Sequence, residues 1–255
     1  MFGTIIQDAY SRDETQGIIE ALDELCNPND AWGWASAGIY SFWNFRTKEV
    51  LYIGLAVDLA ERFKQHNGMT PMDPNGCKYQ KIQEYFNAEE RLGYSIFVQS
   101  PLHQPVIRKN IYSWWNYDQE QVQISEFKDE QPKRDLRRVE GILIEAYKQK
   151  NGVLPSWNRV GGDVAGQKVA TRGNYELIEN LTNQEFNPIT ARYSLRGLAK
   201  SATFITYESY MHGARQLMLI FGMSFANAFE HCKRKDPNTH KRILDDDYLS
   251  TQLEY

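Results

Sequence analysis

Two strand-like runs in quick succession constrain this chain more than any other feature. Residues 35–43 (ASAGIYSFW) and 49–54 (EVLYIG) are rich in aromatic and β-branched types, the side chains that suit a pleated, half-buried surface. The polar stretch Asn44–Lys48 joins them, so the pair predicts an antiparallel hairpin. VDLAERFKQH follows directly, with Val57, Leu59, Ala60 and Phe63 apolar and Asp58 near its start. That pattern predicts a short helix running to about His66 and ended by Gly68. YSIFVQS at 94–100 reads as a third strand. The expected fold class is therefore α/β (α+β), a small three-stranded antiparallel sheet flanked by helices.

The rest of the chain is read by periodicity. Ile18, Ile19, Leu22 and Leu25 recur at helical spacing between Glu14 and Leu25, and Asn27–Asp30 break that pattern. Turn-type residues dominate 67–76, a helix is compatible with 80–91, and 133–150 is strongly helical through Leu136, Val139, Ile142, Leu143 and Ala146. Four glycines fall between Gly161 and Gly173, which suggests a boundary there. Beyond it, 174–181, 188–200, 207–221 and 224–233 carry helix-compatible patterns, and the charged stretch 236–255 is expected to fray. Three parts follow: an acidic helical extension at 1–34, a central domain at 35–162 and a mainly helical region at 163–255.

Charge is polarised. The 255 residues carry a formal net charge of -4, which excludes a uniformly basic coat but not a local anion-binding patch. Asp8, Asp13, Glu14, Glu20, Asp23, Glu24 and Asp30 make the start acidic. Lys133, Arg134, Arg137 and Arg138 cluster, and Arg192, Arg196, Lys200, Arg215, Lys233 and Arg234 follow later. No apolar run reaches the roughly 18 residues that span a bilayer, and the N-terminus lacks a basic-then-apolar leader. The expectation is a soluble, cytoplasmic protein without a membrane partner. Three cysteines in no CxxC pair give no reason to expect zinc.

Paired strands bring Tyr40 and Tyr52 to adjacent positions. A phenol with an ordinary pKa near 10 becomes a useful base only when a cation or hydrogen bond favours the phenolate. Arg62 and His66 lie four residues apart, and so share one face of the predicted helix. Taken singly, each has an ordinary reading: tyrosines pack in strands, histidines sit on surfaces, Glu140 could be a solvated helix residue and Asn158 a turn residue. Likewise, Lys133–Arg138 could be a solvated helix face, and Trp114 and Trp115 could pack rather than stack on bases. The ordered set Gly38-Ile39-Tyr40, Tyr52-Ile53-Gly54, Arg62, His66, Glu140 and Asn158 carries more weight than any member.

That set resembles the GIY-YIG nuclease family, which includes intron-homing endonucleases, some restriction enzymes and the incision subunit of bacterial excision repair. The likeness runs through GIYSFWNFRTKEVLYIGLAVDLAERFKQH, VEGILIEAY and PSWNR, roughly residues 35–162. The resemblance implies a DNA endonuclease that hydrolyses phosphodiester bonds with Mg2+ or Mn2+. It implies Tyr40 as the base, Tyr52 or His66 as the group that orients Tyr40 or the phosphate, Arg62 as the guanidinium fork on the phosphate, Glu140 as the metal ligand and Asn158 as a holder of the site or of the backbone around it. Lys133, Arg134, Arg137 and Arg138 would track phosphates flanking the cut. Leu55 stands where many relatives carry lysine, and the interval from Glu140 to Asn158 is long for the family. Glu145 is a competing carboxylate that points roughly 140° away from Glu140 on an ideal helix. One site per domain implies nicking by a monomer, with a homodimer or two successive events for a double-strand break. The rival expectation is a nucleic-acid-binding module that keeps this fold without catalysis.

Overall fold

The computed structural model describes residues 2–26, 34–71, 77–106, 118, 120–121, 123 and 130–255. The break at Asn27–Asp30, residues 72–76 of the expected 67–76 turn and the Trp114–Trp115 pair lie outside the described residues.

The hairpin forms as β2 (Gly38–Asn44) and β3 (Val50–Ala56), antiparallel, with the turn at Asn44–Glu49 closed by Asn44 N–H to Glu49 O and Lys48 N–H to Asn44 O. β4 (Leu92–Gln99) pairs along the other side of β2. A fourth strand, β1 (Phe2–Tyr10), pairs antiparallel with β4 and completes an open sheet of order β1-β4-β2-β3. The sheet has four strands rather than three, and the chain start is not a helical extension. β1 escaped the sequence reading because it is buried along its whole length, polar residues included. Asp8, one of the residues that make the start acidic, is fully buried and paired with Arg196 at 2.8 Å.

Helices cover both faces of the sheet, as a sheet with two apolar faces requires. On one face α1 (Thr15–Leu25), α2 (Leu59–His66), α3 (Tyr79–Phe86) and α7 (Leu195–Ala199) pack against Ile6, Tyr40, Phe42, Tyr94 and Ile96. On the other, α4 (Gln131–Asn151) and α6 (Tyr175–Glu179) cover Ile5, Ile39, Ile53 and Phe97 through Leu136, Leu143, Ile144 and Ile178. Pro132 in the first turn of α4 and Gly152 just past its end, at φ 79°, delimit this helix, following the usual asymmetry of start and stop signals.

Within the glycine-rich stretch, Gly166 permits a close approach of backbones. α5 (Val164–Gln167) lies so close to α4 that a Cβ on Gly166 would sit 2.2 Å from the Arg138 carbonyl oxygen, and one on Gly141 would sit 2.3 Å from that of Asp163. Only the last part of the 188–200 helix exists, as α7 behind its Ser194 cap. Residues before it run beside β1 instead, with Ile5 N–H bonded to Ile189 O and Ala191 N–H to Ile5 O.

α8 (Ala202–Phe221), α9 (Phe225–Lys233) and α10 (Pro237–Asp245) form a satellite cluster around Tyr207, Met211, Phe229, Ile243 and Tyr248. The C-terminal stretch does not fray. Tyr248 O–H donates to Glu208 at 2.7 Å, Leu253 is buried, and Tyr255 O–H donates to Gln7 of β1. No described helix is long and apolar enough to cross a membrane.

Candidate active site

Strand register sets the two phenols. Tyr40 is paired with Gly54 and Phe42 with Tyr52, so the tyrosines sit diagonally across the hairpin with ring centroids 5.8 Å apart. A Cβ on Gly54 would come within 2.7 Å of the Tyr52 ring and 2.8 Å of Tyr40 Oη. The glycine therefore makes room for both rings. Gly38 has a similar reason to be bare, since its Cβ would meet the Phe97 carbonyl oxygen at 2.4 Å.

α2 brings in the nitrogen groups. Asp58 caps it by accepting from Glu61 N–H at 3.0 Å, while Leu59, Ala60 and Phe63 anchor its apolar face. Arg62 and His66 then point at the hairpin. Tyr40 Oη lies 2.6 Å from His66 Nε2, and Arg62 Nε donates to the same oxygen at 3.2 Å. His66 is fully buried, not the surface histidine its type alone suggests. The backbone N–H of Lys78 donates to His66 Nδ1 at 3.0 Å. That bond makes Nδ1 the acceptor, so the ring hydrogen is on Nε2 and is directed at Tyr40. Burial, followed by the nearby Arg62 and Lys78 charges, holds the imidazole well below its ordinary pKa, and it stays neutral.

Tyr40 Oη thus receives two N–H donors, an arrangement that favours phenolate. Burial outweighs it: desolvation and then Tyr52 push the Tyr40 phenol well above its usual value, against the lowering effect of Arg62. Tyr52 is half-buried and is also raised, by burial first. A hydrogen bond from Tyr40 and the charge of Arg62 lower it, and Glu140 raises it. In the resting state both phenols keep their protons. The chain of donation runs from His66 through Tyr40 to Tyr52, whose side chain is the more exposed end.

Lys78 was not legible as a site residue. Its ammonium lies 4.6 Å from the Tyr52 ring centroid, within range for a cation on an aromatic face. The position after the second glycine, Leu55, offers no cation, but its backbone N–H bonds the Glu140 carboxylate. Glu140 is carried over β3 by α4. Burial raises its pKa to about 7, opposed by the Leu55 N–H and assisted by the negative charge of Asp163. Asp163, itself the cap of α5 through Gly166 N–H at 2.9 Å, is a second carboxylate near this position that motif spacing did not reveal. Glu145 turns away and pairs with Lys148 at 3.8 Å.

Asn158 does not join the phenol cluster. Its side-chain oxygen accepts from Ile53 N–H at 2.9 Å and its amide donates to Ile53 O at 2.8 Å. It is a clip on the open edge of β3, between Tyr52 and Gly54, and the neighbouring Trp157 N–H adds a bond to Leu51 O at 2.8 Å.

The basic quartet is only partly assembled. At 3.6 residues per turn, Lys133 and Arg137 fall within roughly 60° of Glu140, while Arg134 and Arg138 fall more than about 100° away. Three of the later arginines are internal, whereas Lys200, Lys233 and Arg234 are exposed. Arg215 and Glu208 form an ion pair at 2.5 Å with side chains 1% and 0% exposed, Arg196 is spent on Asp8 and Glu14, and Arg192 is buried. These three are committed to internal partners.

Among the described residues no three His, Cys, Asp or Glu side chains cluster as a metal site. One buried carboxylate with heightened proton affinity, near a second carboxylate, still fits a hard divalent cation. Such ions take oxygen ligands and draw the rest of their shell from water and phosphate. No protein-family model, no curated protein and no solved structure matches this chain.

Proposed function

We propose that the chain is a divalent-metal-dependent phosphodiesterase of GIY-YIG type that cuts DNA. The observation that carries the reading is the convergence of Tyr40, Tyr52, Arg62 and His66, from two strands and one helix, into one hydrogen-bonded group, with the Glu140 charge acting on Tyr52. Sequence spacing alone permits that convergence without requiring it.

Phosphodiester hydrolysis needs an activated water, a positive clamp on developing charge and help for the departing oxygen. Arg62 keeps one N–H on Tyr40 and has its guanidinium half-buried beside both phenols, so it suits the clamp on a phosphate oxygen. His66 remains a neutral donor that orients Tyr40 rather than an acid. Loss of a proton from the phenol pair leaves Tyr40 Oη held by two N–H donors, and this oxygen is the base for water. Glu140 would hold Mg2+ or Mn2+, which when bound supplies positive charge at the phosphoryl and leaving oxygens. One such site per chain nicks one strand, and a double-strand break requires a second copy or a second event.

A plasmid-nicking assay tests the reading. Wild-type protein is expected to convert supercoiled DNA to the open form with Mg2+ or Mn2+ and not in chelator. The alternative, a binding module without catalysis, has its own support in Leu55 and in the two protonated phenols. It predicts that the protein retards DNA on a gel yet never cuts it when manganese is added.

A further inference from the structure

A cavity of about 590 Å³ opens beside Tyr52, between the start of α3 and the segment 156–159; Lys78, Tyr79, Lys81, Glu84, Trp157 and Arg159 lie on its walls. Its size falls in the range of sites that take one small ligand. Three of these residues are cationic and one is acidic. Glu84 is engaged by Lys81 at 3.0 Å, and among the described residues no carboxylate pairs with Lys78 or Arg159. Instead the two cations oppose each other: burial and then Arg159 lower the proton affinity of Lys78. An anion seated between them would relieve that repulsion.

Both walls are tied to the candidate active site. Lys78 is held through its own backbone N–H on His66 Nδ1. Trp157 and Arg159 flank Asn158, whose side chain is clipped to Ile53 in β3. The clip thus sets one wall of the cavity, which gives Asn158 a reason to accompany the site without touching the phenols. Tyr79, 42% exposed, adds an aromatic surface of the sort on which bases stack.

We infer that this cavity is the subsite for the nucleotide adjoining the scissile phosphate, with its phosphate between Lys78 and Arg159. The inference rests on the nuclease reading for its substrate class, but its test does not require cutting. Fluorescence anisotropy with a fluorescein-labelled DNA duplex in metal-free buffer reads binding alone. Arg159→Ala and Lys78→Ala are each expected to weaken binding roughly tenfold near 0.1 M salt, and to reduce the slope of log affinity against log salt by about one. Arg159→Lys should keep the slope, and Lys235→Ala, on the exposed C-terminal side, should bind as wild type. Arg159 is exposed, so its replacement reports even where Lys78→Ala fails to fold. Unchanged affinity and slope in Arg159→Ala, or an equal loss in Lys235→Ala, overturns the subsite. If wild type cuts DNA and Arg159→Ala binds normally, the subsite alone fails. If wild type never cuts with manganese but Arg159→Ala binds weakly, Lys78 and Arg159 stand as a DNA-phosphate contact, while the nuclease reading, and with it the scissile neighbour, fails.

Discussion

Replacing Glu140 by Gln in metal-free protein should stabilise the fold, and should do so only at neutral to alkaline pH. The carboxyl has a pKa raised to about 7 in the folded chain, chiefly by burial, against about 4.3 for an unfolded glutamate. The folded state therefore holds the proton more tightly than the unfolded state. Stability is fully present below the unfolded value and declines as pH rises from there through about 7. Each tenfold difference in proton affinity is worth about 1.4 kcal/mol, so the full penalty at pH 8 has an upper bound of about 4 kcal/mol. Partial exposure of the side chain and relaxation of its surroundings reduce this to about 2 kcal/mol. Glutamine retains an oxygen for the Leu55 N–H and carries no charge. For a chain of this length the gain corresponds to a melting temperature higher by about 4–8 °C at pH 8, and to no difference near pH 4, where both forms are neutral. Thermal melts by circular dichroism at the two pH values, in chelator, read this directly. A gain of equal size at pH 4, or a loss at pH 8, would refute the buried-charge argument.

Two further outcomes are expected. Asn158→Ala removes both hydrogen bonds on the exposed edge of Ile53, and should lower stability by about 2 kcal/mol in urea unfolding; a change under about 0.5 kcal/mol would mean the clip is idle. Glu208→Ala strands the buried Arg215 guanidinium and removes the acceptor of Tyr248, and should destabilise by about 3–5 kcal/mol, whereas Glu145→Ala at the Lys148 pair should be nearly silent.

The parts of the fold that were legible are those whose causes are local. β2 and β3 announce themselves through aromatic and β-branched residues on either side of a polar turn, α2 through Asp58 and its apolar face, and α4 through a long helical period. β1 was missed because its polar residues are satisfied far away in sequence. Gln7 donates to Asn180 O, Asp8 meets Arg196, and Thr4 bonds His212. No window of neighbouring residues contains that information. The same holds for the C-terminal tail, whose charged composition concealed Tyr248 and Tyr255 reaching back to Glu208 and Gln7. Within the candidate site, Tyr40, Tyr52, Arg62 and His66 were readable as an ordered set, because register and helical spacing convert order into proximity. Lys78 and Asp163 were not, since loop routes and helix packing bring them near. Asn158 was expected to hold the site or the backbone around it, and its partner is the backbone of Ile53.

The central claim is that the arginine and the carboxylate serve one reacting centre, and a double-mutant comparison of cutting rates addresses it most directly. In manganese buffer, with folding of each protein checked by melting, Arg62→Ala and Glu140→Ala should each slow single-turnover cleavage of a DNA duplex by at least about a hundredfold. Because groups acting on one transition state are strongly non-additive, the double variant should be little slower than the slower single one. Wild-type protein that leaves the duplex intact, or single variants that cut at the wild-type rate, would contradict the account.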